Sequence, residues 1–188
     1  MKKISLIVAC ISSLFTLAQS TGDFYIQNYT PHYIEFYLTK SNLTDPATNC
    51  SPTLEARSPT NGLLQLSYSP SPSIISTDAL YTANVNNTFA TSTAFPTTPV
   101  VGSWIVNSNY ASPYYSPNPI LNTFSNVTTY HGIKFGVKDV YGVNIGGYYF
   151  MGEGCNLPTI TTDLTYDPAA VIEGSYFSFG GAKWVVLY

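Results

Sequence analysis

Few residues in this chain are of the types that perform acid–base or nucleophilic chemistry, and their spacing ties none of them together. The imidazoles are His32 and His131, each at the head of an alternating run, His131 in phase with Ile133, Phe135 and Val137. A zinc site asks for further His or Cys ligands at close spacing. Ser-His-Asp catalysis asks for a serine on a sharp elbow, and no G-x-S-x-G segment supplies one. Both histidines are therefore expected at strand ends, each satisfied by a backbone partner. Glu153, Asp163, Asp167 and Glu173 could furnish two carboxyls about 5–10 Å apart, as glycoside hydrolysis requires. With ten acidic residues in the chain some such pair arises by chance, and no spacing singles one out. Gly142, Gly146, Gly147, Gly152 and Gly154 lack G-x-G-x-x-G spacing, so they read as bulges or points of close backbone approach rather than a nucleotide loop. Asp163 and Asp167 do not fit a calcium loop of EF-hand form. The expectation is a protein without a cofactor and without enzymatic activity.

Binding chemistry is better supplied. Trp104, Tyr110, Tyr114, Tyr115 and Asn118 fall within one uncharged Ser/Asn/Pro/Tyr-rich stretch, residues 103–128. Sugars present hydroxyls to Asn and Ser and apolar C–H faces to aromatic rings, so this set offers both halves of a glycan contact. Tyr148 and Tyr149 are adjacent, and in a strand they face opposite sides, one of them outward. These seven residues are the candidate ligand-binding set. Pro113, Pro117 and Pro119 stiffen the stretch, which reads as a long loop once a strand ends in its first residues.

The export context is carried by residues 1–20. Lys2 and Lys3 precede an apolar stretch over 4–18, and Ala18-Gln19-Ser20 supplies a small-x-small end, which predicts a signal peptide cleaved after Ser20. The apolar stretch is shorter than the roughly twenty residues that span a bilayer. Cys10 sits in the middle of it, with Ile11, Leu14, Phe15 and Leu17 still to follow, which argues against a lipoprotein anchor. The mature chain over 21–188 is predicted to be secreted as one domain. Lys2 and Lys3 leave with the leader, so five basic side chains face ten acidic ones, a net charge of −5. Lys40, Arg57, Lys134, Lys138 and Lys183 form no run, which excludes the basic stripe of a nucleic-acid binder and the polybasic patch of an anionic-membrane binder. Cys50 and Cys155 remain, and in an oxidising compartment two thiols are expected to pair.

Charged residues are 9% of the chain, against about 25% in an average domain. Apolar residues are 45%, enough to build a core, so the fold is expected to be packed and its surface neutral, polar and rich in phenol rings. Apolar–polar alternation predicts strands over 23–28, 32–40, 53–57, 63–68, 79–85, 100–107, 130–140, 143–151, 159–164, 175–180 and 183–188. The first two read as a hairpin around Tyr29-Thr30-Pro31. Helical periodicity is nearly absent, with at most one turn over 167–173. The predicted architecture is an all-β antiparallel sandwich or flattened barrel of about ten short strands. The functions that fit are a secreted binder of a glycan or extracellular protein surface, a structural or adhesive subunit that homo-oligomerises through sheet edges, or a membrane-active β-sandwich toxin. Asn28, Asn42, Asn49, Asn86 and Asn126 head glycosylation acceptor patterns.

Overall fold

A computed structural model of the chain describes residues 22–86, 95–155 and 161–188. The predicted leader, with Cys10, lies outside them. Eleven strands form among the described residues: β1 (Phe24–Asn28), β2 (Tyr33–Ser41), β3 (Thr53–Arg57), β4 (Leu64–Leu66), β5 (Thr77–Tyr81), β6 (Ser103–Val106), β7 (Tyr114–Tyr115), β8 (Thr129–Lys138), β9 (Asn144–Gly152), β10 (Gly174–Phe179) and β11 (Ala182–Leu187). A four-stranded sheet runs β10-β11-β1-β5. A seven-stranded sheet runs β7-β6-β3-β2-β8-β9, with β4 paired to β2 beyond the end of β3. The alternation seen in the sequence explains both: Phe24 and Ile26 on β1, Ile34, Phe36 and Leu38 on β2, and Ile133, Phe135 and Val137 on β8 all point into one core. The two sheets meet through aromatic contacts, Phe24 against Tyr130 at 5.4 Å and Phe36 against Tyr81 at 6.3 Å between ring centroids. The result is an all-β, sandwich-like fold.

Four local expectations are corrected. The pairing is not wholly antiparallel, because β1 runs parallel to β11, with Phe24 beside Lys183 and Asn28 beside Leu187. The first two strands are not a hairpin: β1 belongs to the four-stranded sheet and β2 to the seven-stranded one. The crossing between them is fixed by Asn28, whose fully buried amide donates to the His32 and Ser67 carbonyls and accepts from the Thr30 backbone and hydroxyl. A side chain so enclosed is no glycosylation acceptor in the folded protein. Residues 103–128 are not a long loop either. They build β6, β7 and a helix, α1 (Ile120–Val127), which seats Leu121 in the core and rests Phe124 against Tyr114. Finally, His131 is out of phase with Ile133. A bulge between Thr39 and Lys40 on one strand and Gly132 and Tyr130 on the other makes His131 the extra residue, so Tyr130 and Ile133 both reach the core.

Of the predicted run over 159–164, residues 159 and 160 fall outside the described set. The remainder forms single bridges, Met151 with Thr161 and Asp163 with Ser175, before a 3-10 turn at Leu164–Tyr166. Cys50 and Cys155 are bonded, with Cα atoms 6.0 Å apart, the pairing expected of them. The bridge fastens the loop before β3 to the chain leaving β9. Closing a loop of this length stabilises a fold by about 4–5 kcal/mol in the chain-entropy account.

Candidate functional site

The outward face of the seven-stranded sheet sets five charged side chains, Glu35, Glu55, Arg57, Lys134 and Lys138, among rings. Alternation places Tyr33, Glu35, Tyr37 and Thr39 on the outer side of β2, Thr53, Glu55 and Arg57 on β3, Lys134 and Lys138 on β8, and Tyr148 and Phe150 on β9. Register turns these columns into a lateral row. Tyr115 lies opposite Ser103, which lies opposite Arg57. The Arg57 guanidinium sits 4.9 Å from the Tyr37 ring, and Tyr37 is opposite Lys134, which is opposite Phe150. Ring and cation thus alternate across the sheet.

Two glycines of β8 set the height of this surface. A Cβ at Gly132 would come within 2.8 Å of the Phe150 ring, and one at Gly136 within 3.1 Å of the Tyr148 ring. Both positions face outward, so the two rings lie down on the β8 backbone and cover it. Tyr148 stays 56% exposed while its neighbour Tyr149, 6% exposed, turns inward, where its hydroxyl donates to the Ala169 carbonyl. Beside these rings opens a cleft of about 640 Å³, lined by Tyr37, Thr39, Glu55, Lys134, Tyr148 and Phe150 among others.

The polar groups of the cleft are held in place. Glu55 accepts from Arg57 at 2.7 Å on one oxygen and from the Tyr110 hydroxyl at 2.8 Å on the other. Tyr110 reaches it because Asn107 and Ser108 both adopt the left-handed conformation, φ 50° and 57°, which folds the chain back over β3. The Asn107 side chain secures that reversal by accepting from the Thr53 amide at 2.8 Å. Burial, with Glu55 and Tyr110 close by, pushes the Tyr37 phenol up to about 12, so it stays a neutral hydroxyl. His131 borders the cleft with its ring 6.2 Å from Phe150, and its Nδ1 meets the Glu153 carbonyl at 3.0 Å. That backbone partner is the one expected for it. Burial lowers its pKa, so the ring is neutral, Nδ1–H donates, and Nε2 is left as an acceptor. Asp167, also at the cleft, accepts from the Ala169 amide at 2.9 Å.

The structure divides the residues singled out in the sequence. Tyr148 lines the cleft on this face, Tyr110 lies beside it through its bond to Glu55, and Tyr115 lies at the far end of the same row. Trp104 is core, 1% exposed, with its indole N–H donating to the Val85 carbonyl. Tyr114 is half-buried against Phe124 at 5.7 Å. Asn118 starts α1: its side chain accepts from the Ile120 amide, and its own amide donates to Asn86. Tyr37, Phe150, Glu55 and Lys134 were not singled out. The signal was available in the outward column of β2 and in the placement of three of the chain's seven basic residues on β3 and β8. Among the carboxylates weighed for catalysis, Glu153 pairs with Lys183 and Asp163 caps the Thr165 amide.

Among the described residues no group of three or more His, Cys, Asp or Glu side chains could hold a metal ion, and no helix is long and apolar enough to cross a membrane. No protein-family model, no curated protein and no solved structure matches this chain.

Proposed function

We propose that this protein is an exported, non-catalytic glycan-binding protein whose ligand lies across the outer face of the seven-stranded sheet. The observation that carries the reading is the pair of rings, Tyr148 and Phe150, laid flat on Gly136 and Gly132 beside a cleft with fixed hydroxyl and carboxylate groups. A ring already lying flat loses little rotamer freedom when a sugar's C–H face stacks on it. Tyr37, Thr39 and Thr53 supply hydroxyls as hydrogen-bonding partners around that face. Binding is favoured over catalysis because the carboxylates at the cleft are engaged, Glu55 by Arg57 and Tyr110 and Asp167 by the Ala169 amide. The leader-like residues 1–20 and the Cys50–Cys155 bridge support the exported part of the reading.

The test is binding to a glycan array by the wild-type protein, Tyr148→Ala/Phe150→Ala and Tyr114→Ala/Tyr115→Ala. Selective binding that falls about tenfold or more in the first variant and persists in the second is the expected result. A blank array, or binding that ignores the first variant, would refute it.

One observation favours a second reading, a membrane-active sandwich. The turn at Val140–Val143 and the turn at Ile74–Ile75 flank the same end of the seven-stranded sheet. Lys138 pairs with Tyr33, and the Ser73 amide bonds to the Tyr29 carbonyl. Their tips are apolar and exposed, Tyr141 at 87% and Ile74 at 77%. Dye release from liposomes, lost in Ile74→Ser/Tyr141→Ser, would select that reading, and intact vesicles would dismiss it.

A further inference from the structure

Every basic side chain of the mature region lies among the described residues, and four of the five are satisfied within the fold. Arg57 is paired with Glu55 at 2.7 Å and Lys138 with Glu35 at 2.8 Å. Lys183 is paired with Glu153. Lys40 is buried and donates to the Ala83 carbonyl. Lys134 alone makes no ion pair, side-chain hydrogen bond or close cation–ring contact among the described residues, and it lines the cleft. It stands between Tyr37 on β2 and Phe150 on β9, in the middle of the row and beside the Tyr148 platform.

The neighbouring carboxylates do not answer this charge. Both oxygens of Glu55 are taken up, by Arg57 and by Tyr110, and Asp167 accepts from the backbone of Ala169. In a chain with so few charges, a cation held among rings and left without a counter-ion marks where a ligand's charge belongs. A charge-assisted hydrogen bond formed there, partly screened from water by the flanking rings, is stronger than the same bond at an open surface. We infer that the glycan this cleft accepts carries an anionic group, a carboxylate or a sulfate, which pairs with the Lys134 ammonium. The inference rests on the glycan reading above and adds the class of sugar. The protein as a whole is acidic, so the attraction is local to the cleft and not a long-range pull.

The experiment uses an array of matched neutral, carboxylated and sulfated versions of the same glycans, with wild-type protein, Lys134→Gln, Lys183→Gln and Tyr148→Ala/Phe150→Ala. The expected result is that acidic members bind about tenfold more tightly than their neutral partners. Lys134→Gln erases that margin, Lys183→Gln keeps it, and raising salt narrows it. Comparison of the carboxylated and sulfated arms tells which anion is preferred. Equal binding of neutral and acidic members, or a margin that survives Lys134→Gln, overturns the inference. The glycan reading still stands in that case if Tyr148→Ala/Phe150→Ala abolishes binding. An array on which nothing binds overturns both.

Discussion

Replacing Lys40 with methionine should stabilise the protein at neutral pH and abolish a rise in stability between pH 7 and pH 9.5. Lys40 points inward from β2 and is fully buried, with Nζ 2.5 Å from the Ala83 carbonyl and 4.6 Å from the centre of the Tyr130 ring. No carboxylate touches it, and Asp23 acts on it only at longer range. Burial lowers its pKa from 10.5 to about 8. The difference corresponds to about 3 kcal/mol disfavouring the charged form in the folded state at pH 7. Between those two values the unfolded chain holds a proton that the folded protein has released, so stability must rise with pH. Carried to pH 9.5 the gain is about 2 kcal/mol. Methionine removes the buried charge and forfeits one hydrogen bond to Ala83, worth about 1 kcal/mol, which leaves a net gain of roughly 2 kcal/mol at pH 7. The window is bounded on both sides by other groups. Below about pH 6.5 the lowered pKa of His131 makes acid destabilising. Above about pH 10 the raised pKa values of Tyr37, Tyr81, Tyr130 and Tyr176 make alkali destabilising. Urea unfolding at pH 7.0 and 9.5, with the disulfide intact, measures both effects. A wild-type protein equally stable at the two values, with the variant weaker by the same amount at each, would refute the reasoning.

Removing the bridge with Cys50→Ala/Cys155→Ala should cost up to about 4–5 kcal/mol, read as a lower urea midpoint; an unchanged midpoint would mean that other contacts already hold the two segments together. Gly132→Ala should lose about 1–3 kcal/mol, because its Cβ would stand 2.8 Å from the Met151 carbonyl oxygen and from the Phe150 ring. Gly147→Ala, with nothing within 4 Å of the added atom, serves as its control in thermal unfolding.

The strands were legible because alternation is a local signal: β2, β3 and β5 carry their buried residues at every second position over most of their length. What alternation does not carry is partnership. Nothing in 23–40 says that a turn with a buried Asn28 crosses from one sheet to the other instead of folding back. The bulge at His131 is invisible for the same reason, since it exists only in register with Thr39 and Lys40. The α1 helix is masked in the sequence because Asn122, Thr123 and Asn126 fill its outer face. Yet Asn118-Pro119 before it and the spacing of Leu121, Phe124 and Ser125 are start and face signals for one turn after another. Tyr148 and Tyr149 were resolved to opposite faces from the sequence. The cleft needed four strands from distant parts of the chain to be brought side by side, so Tyr37 and Phe150 read only as members of their own strands.

The parallel contact between β1 and β11 has a consequence for the order of assembly. The first and last strands among the described residues are the two inner members of the four-stranded sheet, with β10 and β5 outside them. A chain emerging N-terminus first can pair β1 with β5 early, but its other edge stays open until β11 is made. Contacts of such sequence separation make for slow closure. A chain halted a few residues before Leu187 would lose the strand that joins β10 to β1, so the sheet would be split through its middle rather than shortened at its rim.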